Sequence, residues 1–126
     1  MPDDKNCILV IDQGTTSTRA IGFDLAGNTL ATHQQEHAQI YPHSGWVEHD
    51  PEEIWQNTKT CLQGVYADVV KKGYTPQGIG LTNQRETVVA WDKQSGKVLY
   101  NAIVWQDKRT ADMCTKLRHS HGIEIR

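Results

Sequence analysis

Cys7-Ile8-Leu9-Val10-Ile11-Asp12-Gln13-Gly14-Thr15-Thr16-Ser17-Thr18-Arg19 is an apolar run that breaks into an acid, a glycine and a row of hydroxyls. Cys7 to Ile11 has the length and β-branched content of a buried strand, so Asp12 falls at the strand's end, where side chains can leave the core for a cleft. Gly14 permits a tight turn, because a residue without Cβ reaches φ > 0 and lets backbone N–H groups approach an anion. Thr15, Thr16 and Ser17 add hydroxyl donors. Asp12 does not suit a phosphate directly. It suits Mg²⁺, an ion that keeps several waters and takes one or two carboxylates beside phosphate oxygens. An Asp-x-Gly turn between two strands is also an ordinary hairpin, so the motif alone leaves both readings open. Neither G-x-x-x-x-G-K-[ST] nor a G-x-G-x-x-G opening a helix occurs, so a P-loop and a dinucleotide fold are unsupported.

The 126 residues suffice for one domain with a single core. Thirteen Lys and Arg against fifteen Asp and Glu give a net charge of -2, which supplies no basic footprint for nucleic acid or anionic lipid. A small neutral or anionic metabolite fits better. Cys7, Cys61 and Cys114 are odd in number, far apart and outside any C-x-x-C spacing, as expected of reduced thiols in an intracellular protein. Met1 to Lys5 is acidic and leads into only five apolar or sulfur-bearing residues, too few for a signal peptide or a membrane span. The expectation is a cytoplasmic protein that binds no membrane.

Thr18 to Leu25 alternates as a second strand, and Ala26-Gly27-Asn28 turns the chain back through Thr29 to Ala38, giving three antiparallel strands. From Gln39 to His49 the pattern dissolves into an aromatic loop containing Tyr41-Pro42-His43-Ser44-Gly45-Trp46. Asp50-Pro51-Glu52-Glu53 is a helix start, with an N-cap acid, a proline in the first turn and carboxylates favoured by the dipole. Ile54, Thr58, Cys61, Leu62, Val65, Val69 and Val70 recur at helical spacing, and Lys71-Lys72-Gly73 ends a helix that should pack on the sheet. A linker at Tyr74 to Gln77, strands at Gly78 to Thr82, Thr87 to Asp92 and Asn101 to Trp105, and a turn at Lys93 to Lys97 are expected next. A helix over Asp107 to His121, with Ala111, Cys114 and Leu117 on one face, should end at Gly122. The order implies an α/β domain with a mixed sheet.

Asn83-Gln84-Arg85-Glu86 packs four strong hydrogen-bonding side chains into a strand end, a density that suits a polyol. A guanidinium offers a fork of donors and a carboxylate only acceptors, so together they satisfy hydroxyls that each donate and accept. A solvated turn with a surface ion pair is the alternative for this segment on its own. Neighbours in a regular strand point to opposite faces, so Arg85 and Glu86 can share one ligand only where the chain turns. Trp105 could cover the carbon skeleton of a small polyol, though a strand tryptophan is also ordinary core. Trp46, Trp55 and Trp91 read as packing or loop anchors. The six histidines offer no zinc-like spacing with a third ligand, and His119-Ser120-His121 reads as the cap of the final helix.

Four blocks then resemble, in order, the N-terminal part of the FGGY carbohydrate kinases, and within them the glycerol-phosphorylating branch. They are Asp12 to Arg19, Gly45-Trp46-Val47-Glu48-His49-Asp50-Pro51, Thr82-Asn83-Gln84-Arg85-Glu86-Thr87, and Tyr100-Asn101-Ala102-Ile103-Val104-Trp105-Gln106-Asp107. The resemblance implies the ribonuclease-H-like, actin-like ATPase fold, here as an incomplete first domain with a mixed sheet and flanking helices. Residues 1–126 would form the N-terminal part of that domain, with its remainder and a second domain lying outside this chain. It also implies ATP with Mg²⁺ as donor, glycerol as acceptor, sn-glycerol 3-phosphate as product, and a homo-oligomer at full length. Position by position, Thr15, Thr16 and Ser17 resemble the family's phosphate-contacting turn, Asp12 its magnesium-organising acid and Arg19 its phosphate-binding arginine. Arg85, Glu86 and Trp105 resemble its glycerol pocket. No residue of this chain matches the family's catalytic base, so the isolated chain should be inactive. The alternatives are a non-catalytic ligand-binding or interaction module of the actin-like superfamily, and another FGGY sugar kinase. The Gln84-Arg85-Glu86 triplet argues against xylulokinase-like members.

Overall fold

The computed structural model describes residues 5–122, so Met1 to Asp4 of the acidic leader lie outside the described residues. Strands β1 (Asn6–Gln13), β2 (Ser17–Asp24) and β3 (Thr29–Glu36) form an antiparallel meander, as the alternation and turns require. Asp24 builds the β2–β3 turn: its carboxylate accepts from the backbone of Ala26 and Asn28, and Gly27 supplies φ 87°. After the loop come the two-residue strand β4 (Glu48–His49) and helix α1 (Pro51–Lys71). Asp50 caps α1 by accepting from Glu52 N at 2.9 Å.

Strand β5 (Thr75–Thr82) then runs parallel to β1, giving a mixed sheet in the order β3-β2-β1-β5. It begins three residues before the expected Gly78, so most of the expected linker is strand. The segments expected as full strands shrink. Thr87 to Asp92 makes only the isolated bridges Val88 to Ile103 and Trp91 to Val98, and Asn101 to Trp105 contributes only β6 (Ala102–Ile103), paired with β4. Helix α2 (Ala111–His121) begins four residues later than Asp107 and buries nothing, so the expected face of Ala111, Cys114 and Leu117 stays exposed. Gly122 ends it in ordinary right-handed backbone.

The core lies between α1 and one face of the sheet. Cys7, Leu9 and Ala20 meet Cys61, Val65 and Val69 there. Burial drives this contact at roughly 25 cal/mol per Å² of apolar surface, and it pushes the Cys7 and Cys61 thiols above their ordinary pKa. Gly22 sets how close the helix comes: a Cβ there would stand 2.6 Å from Val69 Cγ1. Val70 lies off this face and is exposed. Ile79 and Leu81 pair with Leu9 and Ile11 and so share their faces of the sheet, yet they are 60% and 71% exposed. Helix α1 leaves them uncovered.

Candidate functional site

Parallel pairing of β1 with β5 places the carboxyl ends of both strands side by side, with Asp12 opposite Thr82. The segments that follow, the Gly14 turn and Asn83 to Glu86, therefore leave the sheet at one end. That is where open α/β sheets hold ligands. A cavity of about 530 Å³ opens there, lined by Asp12 to Thr15, Asn83 to Glu86, and Trp105.

The turn is closed by Gly14 N–H donating to Ser17 O at 2.9 Å. Gly14 is not among the left-handed glycines, contrary to expectation. What its lack of a Cβ provides is clearance, since an added Cβ would sit 3.3 Å from Ser17 O. Gln13 braces the turn from below: its Oε1 accepts from Thr18 Oγ1 at 2.7 Å and its Nε2 donates to Gly14 O. Of the expected phosphate residues, only Thr15 lines the cavity. Thr16 is exposed, Ser17 Oγ accepts from Gln34 Nε2 at 2.8 Å, and Arg19 is an exposed residue of β2 opposite Asp12.

At the other wall the chain does turn. Glu86 adopts φ 61°, the left-handed region that a non-glycine residue enters at a cost of about 1–2 kcal/mol. This breaks the strand alternation that would have separated Arg85 from Glu86, and both residues line the same cavity. No side-chain hydrogen bond or ion pair engages Asp12, Arg19, Arg85 or Glu86 among the described residues. Strained backbone carrying unpartnered charges is characteristic of a binding site. Trp105 closes the third side. Its Nε1 donates to Thr15 Oγ1 at 2.9 Å.

Behind Trp105 lies a network that sequence reasoning missed. Arg109 donates to Asp107 Oδ2 at 2.8 Å and to Glu48 Oε2 at 2.7 Å, while both carboxylates are almost wholly buried. Tyr100 and Asn101 also donate to Glu48, and Val47 N–H donates to Asp107. The guanidinium lies 3.9 Å from the ring centroid of Trp46, so this loop tryptophan packs against a cation. The Arg109 hydrogen bond outweighs burial and holds the Asp107 carboxyl down at about 2. Burial pushes Glu48 up, but the hydrogen bonds from Arg109, Asn101 and Tyr100 win and keep it below its ordinary value. The loop Val104 to Arg109, and Trp105 with it, is thereby fixed to β4. No group of three or more His, Cys, Asp or Glu among the described residues forms a metal cluster. None of their helices is long and apolar enough to cross a membrane.

Comparison with known proteins gives consistent matches. The family model described as the N-terminal domain of the FGGY family of carbohydrate kinases matches residues 7–125. The chain is 51% identical over 121 residues to a glycerol kinase of Photorhabdus laumondii, covering 96% of this chain and 24% of that protein. It is 58% identical over 115 residues to a glycerol kinase of Roseobacter denitrificans, covering 88% and 22%. The crystal structure of Plasmodium falciparum glycerol kinase with ADP superposes with a TM-score of 0.83 at 42% identity, over 92% of this chain and 23% of that one. Xylulose kinase from Rhodospirillum rubrum gives 0.83 at 32% identity, over 90% and 23%. The chain thus spans about a quarter of the length of the curated relatives it matches.

Proposed function

Because this chain belongs to the FGGY family of carbohydrate kinases, with their actin-like ATPase fold, we propose that the whole protein transfers a phosphoryl group from ATP to glycerol. The observation that carries this reading is the shared cavity: the hydroxyl-bearing Thr15 turn and the Arg85–Glu86 turn line one space, bridged by Trp105. Donor phosphate and acceptor hydroxyl must approach to roughly 3–3.5 Å, which only a common cleft allows.

In this reading Glu86 accepts hydrogen bonds from glycerol hydroxyls and Arg85 donates to their oxygens, while the Trp105 ring covers the carbon chain. The Thr15 hydroxyl, with Thr16, Ser17 and Arg19 at the margin, donates to phosphate oxygens as charge spreads over them. Asp12, a carboxylate beside the turn with no partner among the described residues, fits a magnesium ion that arrives with the nucleotide and keeps most of its waters. Bound there, the ion would neutralise phosphate charge. Residues 1–126 correspond to the N-terminal part of the first kinase domain. The nucleotide base and the proton-accepting carboxylate belong to the rest of the enzyme.

The homologous enzymes carry glycerol kinase as their name, which favours glycerol over a longer sugar. We further place the whole protein in the cytoplasm as an assembly of identical subunits. Trp55, Tyr66 and Val70 on α1 are exposed in the 126-residue chain, which favours self-association of that chain on its own. The test is a coupled assay of the full-length protein with ATP, Mg²⁺ and glycerol, run beside xylulose and gluconate. Glycerol-dependent ADP release in clear excess over the sugars is expected; equal or greater turnover of a sugar would reassign the substrate.

A further inference from the structure

Behind the Thr15 turn lies a cluster of buried polar side chains that the proposed reaction does not use. His37 and His49 are 6% and 0% exposed, and their rings meet edge to face with centroids 4.5 Å apart. The Thr15 carbonyl faces two donors from the segment after β3, His37 Nε2 at 2.9 Å and Gln39 Nε2 at 3.0 Å. A carbonyl oxygen only accepts, so His37 carries its proton on Nε2 and Gln39 turns its amide nitrogen towards Thr15. Gln39 Oε1, 2.6 Å from His49 Nε2, must then accept, which puts the His49 proton on Nε2 as well.

That assignment leaves His37 Nδ1 and His49 Nδ1 as buried acceptors and Gln84 Nε2 as a buried donor, none with a partner among the described residues. His49 Nδ1 and Gln84 Nε2 are complementary, and Gln84 is a neighbour of His49. Gln84 also lines the cavity on the Arg85–Glu86 side. Hydrogen bonds that all point one way therefore lead from His49 through Gln39 to the Thr15 carbonyl, with Gln84 beside the open end at His49 Nδ1. Buried polar groups are costly unless satisfied, so such a run has one favoured arrangement.

We propose that Gln39 and His49 are positioning residues that lock the Thr15 turn in register with Gln84, holding the two walls of the cavity at a fixed spacing. His37 supplies the second bond to the same carbonyl. The relay needs a neutral His49, and its surroundings favour that form: burial first, then the adjacent His37, lower its pKa below the ordinary value. Only the kinetic arm of the test below rests on the phosphoryl-transfer reading.

The experiment uses the full-length protein with ¹⁵N-labelled histidine, unsubstituted and as Gln39→Glu and Gln39→Leu. In the unsubstituted protein the ¹⁵N shifts of His49 should report a bare Nδ1 and a protonated Nε2 at pH 7. Gln39→Glu keeps an acceptor for His49 but removes the donor to Thr15, and its charge should raise the pH at which His49 titrates; Gln39→Leu should not raise it. Both variants should raise KM for ATP about five- to tenfold, the loss expected for one buried hydrogen bond, with KM for glycerol within about twofold. An Nδ1-protonated or doubly protonated His49 at pH 7, or variants that lower the unfolding temperature while both KM values hold, would overturn the proposal. Should the unsubstituted protein not phosphorylate glycerol, the function proposed above falls, and the His49 tautomer alone decides the relay.

Discussion

Trp105 Nε1 donates to Thr15 Oγ1 at 2.9 Å, joining residues 90 positions apart across the mouth of the cavity. One indole thus touches the turn proposed to face phosphate while its ring borders the cavity shared with Asn83 to Glu86. Trp105→Phe keeps most of the ring and removes the donor. In the full-length enzyme it should lower kcat/KM by about five- to tenfold, the worth of one hydrogen bond. Trp105→Ala should cost more, with the excess falling on glycerol. Steady-state kinetics with each substrate varied in turn checks both.

Glu86 combines a left-handed backbone with a carboxylate that has no partner among the described residues, and two substitutions separate these features. Glu86→Ala and Glu86→Gly should both raise KM for glycerol far more than KM for ATP. Glycine tolerates φ 61° without the Cβ penalty, so Glu86→Gly should be no less stable than Glu86→Ala, by up to about 1 kcal/mol in urea unfolding. Equal losses for the two substrates would remove Glu86 from the polyol site.

The Gly22 contact predicts a compensating pair. Gly22→Ala drives a methyl into Val69 Cγ1 and should destabilise by about 1–3 kcal/mol, the usual cost of overpacking. Adding Val69→Ala makes room and should recover part of that loss, a coupling that a double-mutant cycle of urea midpoints measures.

Asp107 gives the acid limb of stability a defined window. Its carboxyl is held at about 2 by the Arg109 hydrogen bond, well below the roughly 3.9 of an unfolded chain. A depressed pKa contributes stability that is present above the unfolded value and is lost as pH falls through the folded one. Between about pH 4 and 2 the unsubstituted protein should therefore lose stability more steeply than Asp107→Asn. Parallel slopes for the two proteins would show that Asp107 is not linked to acid unfolding.

The isolated 126-residue chain should release no ADP in a glycerol-dependent manner. Its cavity leaves Trp105 half exposed, and ligand contacts made in open water gain little. Glycerol-dependent turnover above background by the purified chain would overturn this.

The meander β1–β3 and helix α1 were legible because their signals are local: alternation, the Asp24-to-Asn28 turn and the Asp50 cap. Strand β5 was hidden at its start by Pro76, which an edge strand tolerates, and by Gly78 and Gly80, which carry no pattern. Helix α2 starts late because Asp107, read as its beginning, is engaged by Arg109 and Val47 and cannot cap it. The Arg85–Glu86 turn was posed by strand geometry as a condition, and the left-handed Glu86 meets it. The Glu48–Arg109 pair joins residues 61 apart in sequence, beyond any local signal. Its only trace was that Glu48 and Asp107 fall within two of the blocks that carry the family resemblance.

The parallel pairing of β1 with β5 also orders events during synthesis. Strands β1 to β3 can zip together as soon as they leave the ribosome, since each pairs with its immediate neighbour. Leu9 has to wait for Ile79, and Asp12 for Thr82. Until that late pairing, one flank of β1 is an open edge able to recruit strands from other nascent chains. The cavity's two walls meet only once β5 docks, so a chain stalled before residue 82 has no ligand-binding end to be rescued by substrate.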